Sequence, residues 1–378
     1  MNNYFIHTIE LMKAIDTNKF IKLKKYNDFN FKMLYDLEHY INTMYCKEGL
    51  VIKIRKCGKN EIKTYKKPFL MTVVVNLSKL VYNGDPVNHI HSVGDFNWAI
   101  EKLFDMMDEL DTEYQIGEIE EFTLNRIDIA RDIHGIPENI IKEVNKMLYR
   151  LPMYDGYTHN TRLEKKCRDF KREDSFNAVN DSQGFEFVVY NKHKATIDNK
   201  YDSEFSEYYK DTIRIEMRCR KKYINLHFTD KNLKRTLKNA YNDMSFSVEA
   251  VYSRLFKFPT SLCHLKSKML IKYLFDETGN KKARCRRMVT LLDELDKYPN
   301  EDLQKALDNV YPSEKRQRNI KNHYKLYGVS PITMRNRSIP FIQSIDSLLE
   351  FSLPTDTEIE LYEMSEAEYG NVFFHSSL

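Results

Sequence analysis

Three segments in which apolar and polar side chains alternate constrain this chain more than any other feature. Phe185-Glu186-Phe187-Val188-Val189-Tyr190 sets Phe185, Phe187 and Val189 against Glu186, Val188 and Tyr190. Ile127 to Ile133 sets Ile127, Ile129 and Ile133 against Asp128, Ala130 and Asp132. Ile213 to Cys219 sets Ile213, Ile215, Met217 and Cys219 against Arg214, Glu216 and Arg218. A period of two puts alternate residues on opposite faces of a strand. The aromatic and β-branched content of these runs suits that assignment. If the three share a sheet, one face is core and the other gathers carboxylates, guanidiniums and a phenol.

Two readings of that second face stay open at this point. Cross-strand Arg–carboxylate pairs on a solvated surface produce the same pattern. A pair of carboxylates beside cationic groups also suits Mg²⁺ or Mn²⁺, which take a few carboxylate oxygens together with substrate phosphate. Asp128 and Asp132 lie four residues apart, about 13 Å at roughly 3.3 Å per residue. That is too far for one small ion, so Asp128 with Glu216 is the expected pair. Tyr190 is followed by Asn191-Lys192-His193-Lys194. A phenol titrates near pH 10, at about its unperturbed value, and neighbouring ammonium groups favour the phenolate and hold a phosphate. The chain has 25 tyrosines, and simple packing is the plainer role for any one of them.

The remaining periodicity predicts a mixed α/β (α+β) protein. Strands are expected over Tyr4–Leu11, Leu50–Lys56, Pro68–Leu77, Ile119–Ile133 and Thr212–Cys219. Helices are expected over Phe29–Met44, over Asp95–Leu110 with Trp98, Leu103 and Met106 on the apolar face, and over Ile140–Tyr149. Ser78 to Pro86 and Asn177 to Gly184 read as turn clusters. Tyr157 to Asp174 is charged and strand-like in parts. From Lys231 onward the pattern is mainly helical, which divides the chain into an α+β part at 1–230 and a helical part at 231–378.

No run approaches the roughly eighteen apolar residues of a membrane span, and Met1-Asn2-Asn3-Tyr4 lacks a secretory signal's features. The six cysteines are scattered, with no CxxC pair, as expected of reduced thiols in a cytoplasmic protein. The formal net charge is +4, yet eight of the 55 acidic residues and none of the 59 basic ones follow Arg337. The body therefore carries +12, a balance suited to DNA phosphates. A lysine-, asparagine- and tyrosine-rich composition alone gives a similar surface. Basic clusters occur at 218–222, 281–287 and 315–318. The run Gly328-Val329-Ser330-Pro331 after a helix has helix–turn–helix-like spacing, which would send Ile332 to Arg337 into a groove.

Four stretches, taken together and in order, resemble the gene II/gene X replication initiators of filamentous phages and related plasmid and prophage elements. They are the strand ending in Ser78-Lys79 with Gly84, Asn88 and His89 after it; Arg126-Ile127-Asp128 with Pro137-Glu138-Asn139 after it; Val189-Tyr190-Asn191-Lys192-His193; and Ile213-Arg214-Ile215-Glu216-Met217-Arg218. They span Phe69 to Tyr223. The plasmid trans-acting initiators look similar across the Arg-Ile-Asp and Arg-x-Glu strands.

The resemblance implies an antiparallel-sheet nuclease core with helices on one face, and a rolling-circle initiator that nicks one DNA strand through a tyrosine. The nucleophile then maps onto Tyr190, assisted by Lys192, with Asp128 and Glu216 as ligands of Mg²⁺ or Mn²⁺. Arg126, Arg214, Arg218, His193 and Lys194 become DNA-contacting residues. The implied partners are single-stranded or supercoiled origin DNA and a host helicase and polymerase, with no membrane. A glutamate that usually follows the Lys-His pair is replaced by Lys194-Ala195-Thr196, leaving Asp198 as a substitute. His89-Ile90-His91 offers a second metal reading, as the His-hydrophobic-His motif of other single-strand nucleases. A non-catalytic single-strand nucleic-acid binder using the same basic sheet is the alternative function.

Overall fold

The computed structural model describes residues 4–25, 32–33, 39–42, 47–85, 87–159, 173–199, 201, 203–279, 281–335, 339 and 341–351. Strand β1 (Phe5–Ile15) leads into α1 (Thr17–Lys25), β2 (Lys32–Met33), β3 (His39–Asn42), β4 (Leu50–Lys56) and α2 (Lys59–Tyr65). Then come β5 (Phe69–Asn76), α3 (Leu77–Val81), α4 (Val93–Tyr114), a 3₁₀ turn (Ile119–Glu121), β6 (Thr123–His134) and α5 (Glu138–Arg150). β7 (Ser175–Asn180) and β8 (Phe185–Asn191) form a hairpin, followed by α6 (Lys192–Asp198), α7 (Ser203–Tyr208), β9 (Thr212–Arg220), α8 (Lys221–His227) and α9 (Leu233–Ser253). The C-terminal part holds β10 (His264–Leu265), α10 (Ser267–Thr278), α11 (Lys282–Lys297), α12 (Leu303–Val310), α13 (Glu314–Leu326), β11 (Phe341–Ile342) and α14 (Ile345–Leu348). The mixed α/β fold with an antiparallel sheet and a helical C-terminal part is as expected.

Nine strands pair in the order β2-β3-β4-β5-β1-β6-β9-β8-β7. β1 is central in this order because it pairs antiparallel with β5 on one side and β6 on the other. Its odd-numbered Ile9 and Leu11 are fully buried, as are Val73 and Val75 of β5 and Ile127 and Ile129 of β6. Around His7 the ladder with β6 shifts register, from Ile6 opposite Ile129 to Thr8 opposite Asp128. Such bulges bend a strand and re-aim its side chains.

By internal contacts the chain falls into two compact units. The first comprises Met1–Asp132, Asn180–Phe187 and Ile215–Val248; the second comprises Ile133–Val179, Val188–Arg214 and Glu249–Leu378. In the second unit α11 packs against α10, α12 and α13. It buries Met288, Leu291, Leu292 and Leu295, and the Tyr324 hydroxyl donates to the Met288 carbonyl at 2.8 Å.

Several local expectations are corrected. The helix expected over Phe29–Met44 is contradicted where residues are described, since 32–33 and 39–42 are antiparallel strands. Ladder pairing of 32–33 with β3, and of β3 with β4, overrides the helical spacing there. Asn177–Gly184 is a turn only from Asp181, because Ser175–Asn180 joins the sheet edge. Leu77–Val81 is a short helix, N-capped by the Asn76 side chain accepting from Lys79 N. On α4 the buried face runs through Leu103, Met107 and Leu110, whereas Trp98 is 46% exposed with the Lys102 ammonium 5.0 Å from its ring centroid.

Among residues 329–335 no helix follows Gly328. Val329 and Met334 make isolated bridges to Cys263 and Lys266, and Ile332, Thr333 and Met334 are buried, so these three residues do not enter a DNA groove; Asn336 and Arg337 lie outside the described residues. Most of Tyr157–Asp174, and the acidic segment after Phe351, lie outside the described residues. Among the described residues no helix is long and apolar enough to cross a membrane.

Candidate active site

In the first unit, β1, β6, β8 and β9 bring four carboxylates and two guanidiniums together. Glu10 lies opposite Arg126 in the β1–β6 register, and Thr8 lies opposite Asp128. Both oxygens of Asp128 accept from Arg126, from Nε and Nη2 at 2.6 Å each, and Arg126 Nη1 donates to Glu10 at 3.1 Å. On β9 the Arg218 Nε donates to Glu216 at 2.7 Å, and its Nη1 lies 3.5 Å from Glu186 on β8. The carboxylates are the buried layer: Asp128 is 1%, Glu216 4% and Glu186 5% exposed. The arginines keep about 30% of their side chains open to solvent, at 30% and 29%.

With three of its carboxylates buried, this arrangement is not a solvated face. Each guanidinium bridges two carboxylates, Arg126 between Asp128 and Glu10 and Arg218 between Glu216 and Glu186. Burial and the charge of Glu216 push the Asp128 carboxyl up to about 7, against the pull of Arg126. Burial works against the charge on Arg218, but Glu216 and Glu186 outweigh it and hold the guanidinium's pKa above its ordinary value. The Cys219 thiol is pushed up by burial and by Asp128.

Two anionic oxygen ligands that repel each other in a buried layer are the donor type Mg²⁺ and Mn²⁺ select. Among the described residues no group of three or more His, Cys, Asp or Glu side chains could hold a metal. A site completed by water and phosphate needs only one or two carboxylates. Asp128 and Glu216 therefore fit such an ion, in competition with Arg126 and Arg218.

The first unit also gathers histidines. His89 Nε2 lies 3.0 Å from Asp132 Oδ2, both side chains being under 10% exposed, and its ring stacks on Phe5 at 3.8 Å. His91 sits with its ring 6.2 Å from that of His89. This His-Ile-His run lies outside helix and strand, and Asp132 serves His89, not the Asp128 cluster.

The second unit holds the remaining candidates. Tyr190, near the end of β8, is half-buried, and Asn191 caps α6 by accepting from Lys194 N at 3.0 Å. The Lys192 ammonium lies 5.0 Å from the centroid of the Tyr209 ring. Lys194 pairs with Asp174, so a DNA phosphate would compete with that carboxylate. His193 is partly exposed.

Arg214 requires a correction. It is 0% exposed with its guanidinium 5.8 Å from the Tyr209 centroid, and a side chain so enclosed cannot reach a DNA backbone. Sequence reasoning also missed Glu10. The signal was present in the opening strand, where Thr8 and Glu10 alternate with apolar residues, but only the strand register reveals that Glu10 faces Arg126.

A family model that describes the N-terminal region of a phage replication-associated protein matches residues 49–243, just over half of the chain. The chain belongs to this replication-associated family. The match covers Asp128, Tyr190, Lys192 and Glu216, and leaves out β1 with Glu10 and His7. Membership of the family supports a role in rolling-circle replication, and with it binding to DNA. No curated protein matches the chain.

Proposed function

We propose that this protein initiates rolling-circle replication by nicking and rejoining one DNA strand through Tyr190. The observation that carries the reading is the buried cluster of carboxylates Asp128, Glu186 and Glu216 beside the partly exposed Arg126 and Arg218, inside the span of the family match. In the proposed reaction the phenolate oxygen of Tyr190 attacks the scissile phosphorus. The new O–P bond forms as the bond to the 3′-oxygen breaks. The phenol loses one proton and the departing 3′-oxygen takes one up, leaving a 5′-phosphotyrosine and a 3′-hydroxyl for a polymerase. Because the phosphoester is kept in the covalent link, the strand can be resealed after a round of synthesis.

Asp128 and Glu216 would hold Mg²⁺ or Mn²⁺, which supplies Lewis-acid polarisation of a phosphate oxygen. Arg126 and Arg218 hold those carboxylates in place and present partly exposed guanidiniums to an incoming phosphate. Lys192 offsets negative charge that develops at the phosphate, and His193 and Lys194 add contacts to the strand. Origin DNA, a host helicase and a polymerase are the proposed partners, in the bacterial cytoplasm.

The test is covalent capture. The protein is incubated with single-stranded or supercoiled DNA carrying its element's origin and with Mn²⁺, then denatured and resolved on a gel. A denaturation-resistant protein–DNA adduct is expected, and it should vanish in Tyr190→Phe. Retention of DNA without any adduct would sink the nicking reading and favour a non-catalytic single-strand binder.

A further inference from the structure

We propose that Tyr208 and Tyr201 form a stacking platform for unpaired DNA bases flanking the phosphate attacked, an inference that rests on the nicking reading above. Thirteen large apolar side chains are exposed among the described residues, and three of them, Ile197, Tyr201 and Tyr208, fall within twelve positions of the chain. Ile197 lies on α6, Tyr208 on α7 and Tyr201 between them in sequence, in the segment that directly follows Tyr190. Tyr201 is 42% and Tyr208 50% exposed.

What distinguishes these rings from scattered surface tyrosines is how they are held. Tyr209 is wholly buried and acts as a hub. The ring of Tyr208 meets it edge-on at 5.0 Å and 88°, and Phe205 meets it at 5.1 Å and 80°. Tyr201 packs on Phe205 at 4.8 Å, and His134 braces Tyr208 at 5.6 Å and 75°. Lys192 and Arg214 stand by the hub ring at 5.0 and 5.8 Å, cation–π contacts that fix its orientation. An exposed ring braced from two sides loses little freedom when something stacks on it, which is the condition for affinity. A nucleobase is the occupant that matches. It offers a flat π-face, and its phosphodiester chain complements the ammonium of Lys192 and the chain's basic body. A duplex hides those faces, so the platform selects single strands.

The experiment measures binding apart from cleavage. Fluorescence anisotropy of a labelled ten-nucleotide thymidine oligomer is followed in EDTA, with a hairpin duplex and an abasic oligomer of equal charge as controls. Tyr208→Ala is expected to weaken binding to the thymidine oligomer about 5- to 150-fold, the range for losing one stacked base. Affinity for the duplex and the abasic oligomer should stay within about twofold of wild type, the scale of a lost contact worth under 0.5 kcal/mol. Tyr208→Phe, which keeps the ring and removes the hydroxyl, should bind like wild type, and Tyr208→Trp as well or better.

The proposal is overturned if Tyr208→Ala binds the thymidine oligomer like wild type, or weakens all three ligands alike. It is also overturned if Tyr208→Phe loses as much as Tyr208→Ala, which would assign the hydroxyl a chemical role. Single-strand binding that depends on Tyr208 without a Tyr190 adduct leaves the platform standing and removes the nicking reading. A normal adduct with unchanged binding in Tyr208→Ala removes the platform alone.

Discussion

Asp128 is the side chain whose chemistry and stability pull in opposite directions. Its carboxyl is raised from 3.8 to about 7, so between those values the folded chain holds a proton that the unfolded chain releases. Stability contributed by this group is therefore present at low pH and lost as pH rises through about 7. Asp128→Asn removes that penalty and leaves Arg126 its contact with Glu10. The variant is expected to melt a few degrees above wild type at pH 7.5, with the gap closing toward pH 4, while adduct formation is abolished. A lower melting temperature at pH 7.5 would show that the Arg126 contact outweighs the burial penalty. At this scale the sequence was legible where alternation alone decides which face a residue takes, as for Asp128, Glu216 and Arg218. It was illegible for Glu10 and Arg214, whose surroundings depend on which strands become neighbours and on what covers them.

At the scale of elements, the turn before β8 and the small β10–β11 ladder carry separate predictions. Gly184 closes the β7–β8 hairpin at φ +79°, and a Cβ there would meet the Lys222 Cβ at 2.7 Å and the Tyr223 backbone nitrogen at 3.1 Å. Gly184→Ala should destabilise the protein by more than about 1 kcal/mol in urea unfolding, and a variant as stable as wild type would refute the turn's role. In β10, His264 is fully buried and Nδ1 donates to the Ile332 carbonyl at 2.9 Å. Burial lowers its pKa from 6.5 to about 4, so the unfolded chain takes up a proton that the folded chain refuses. Stability should rise with pH from about 4 to 6.5, by about 3 kcal/mol at most. His264→Asn, which keeps a donor, should flatten that rise in melts across this pH range. The long strands and helices were legible because each carries an unbroken period. Phe29–Met44 and the segment after Gly328 were not, because short pieces there follow a neighbouring strand against their own local pattern.

For the whole molecule, charge is unevenly distributed along the chain. Residues 352–378, outside the described residues, carry six acids and no base, so removing them raises the formal net charge from +4 to +10. The shortened protein should bind single-stranded DNA more tightly at about 50 mM salt, with the difference gone near about 0.5 M, where screening is short-ranged. Equal affinity at low salt would show that these acids do not compete with DNA.

The alternation of the two units along the chain also fixes an order of events on the ribosome. The first unit draws on residues up to Val248, with two stretches of the second threaded between its pieces. β9, which ends at Arg220, is therefore complete only 88 residues beyond Asp132, roughly 4 to 18 s later at ordinary translation rates. Throughout that interval the nascent polypeptide carries β1 and β6 before β9 exists to pair with β6, exposing a sheet edge to any neighbour that can add a strand.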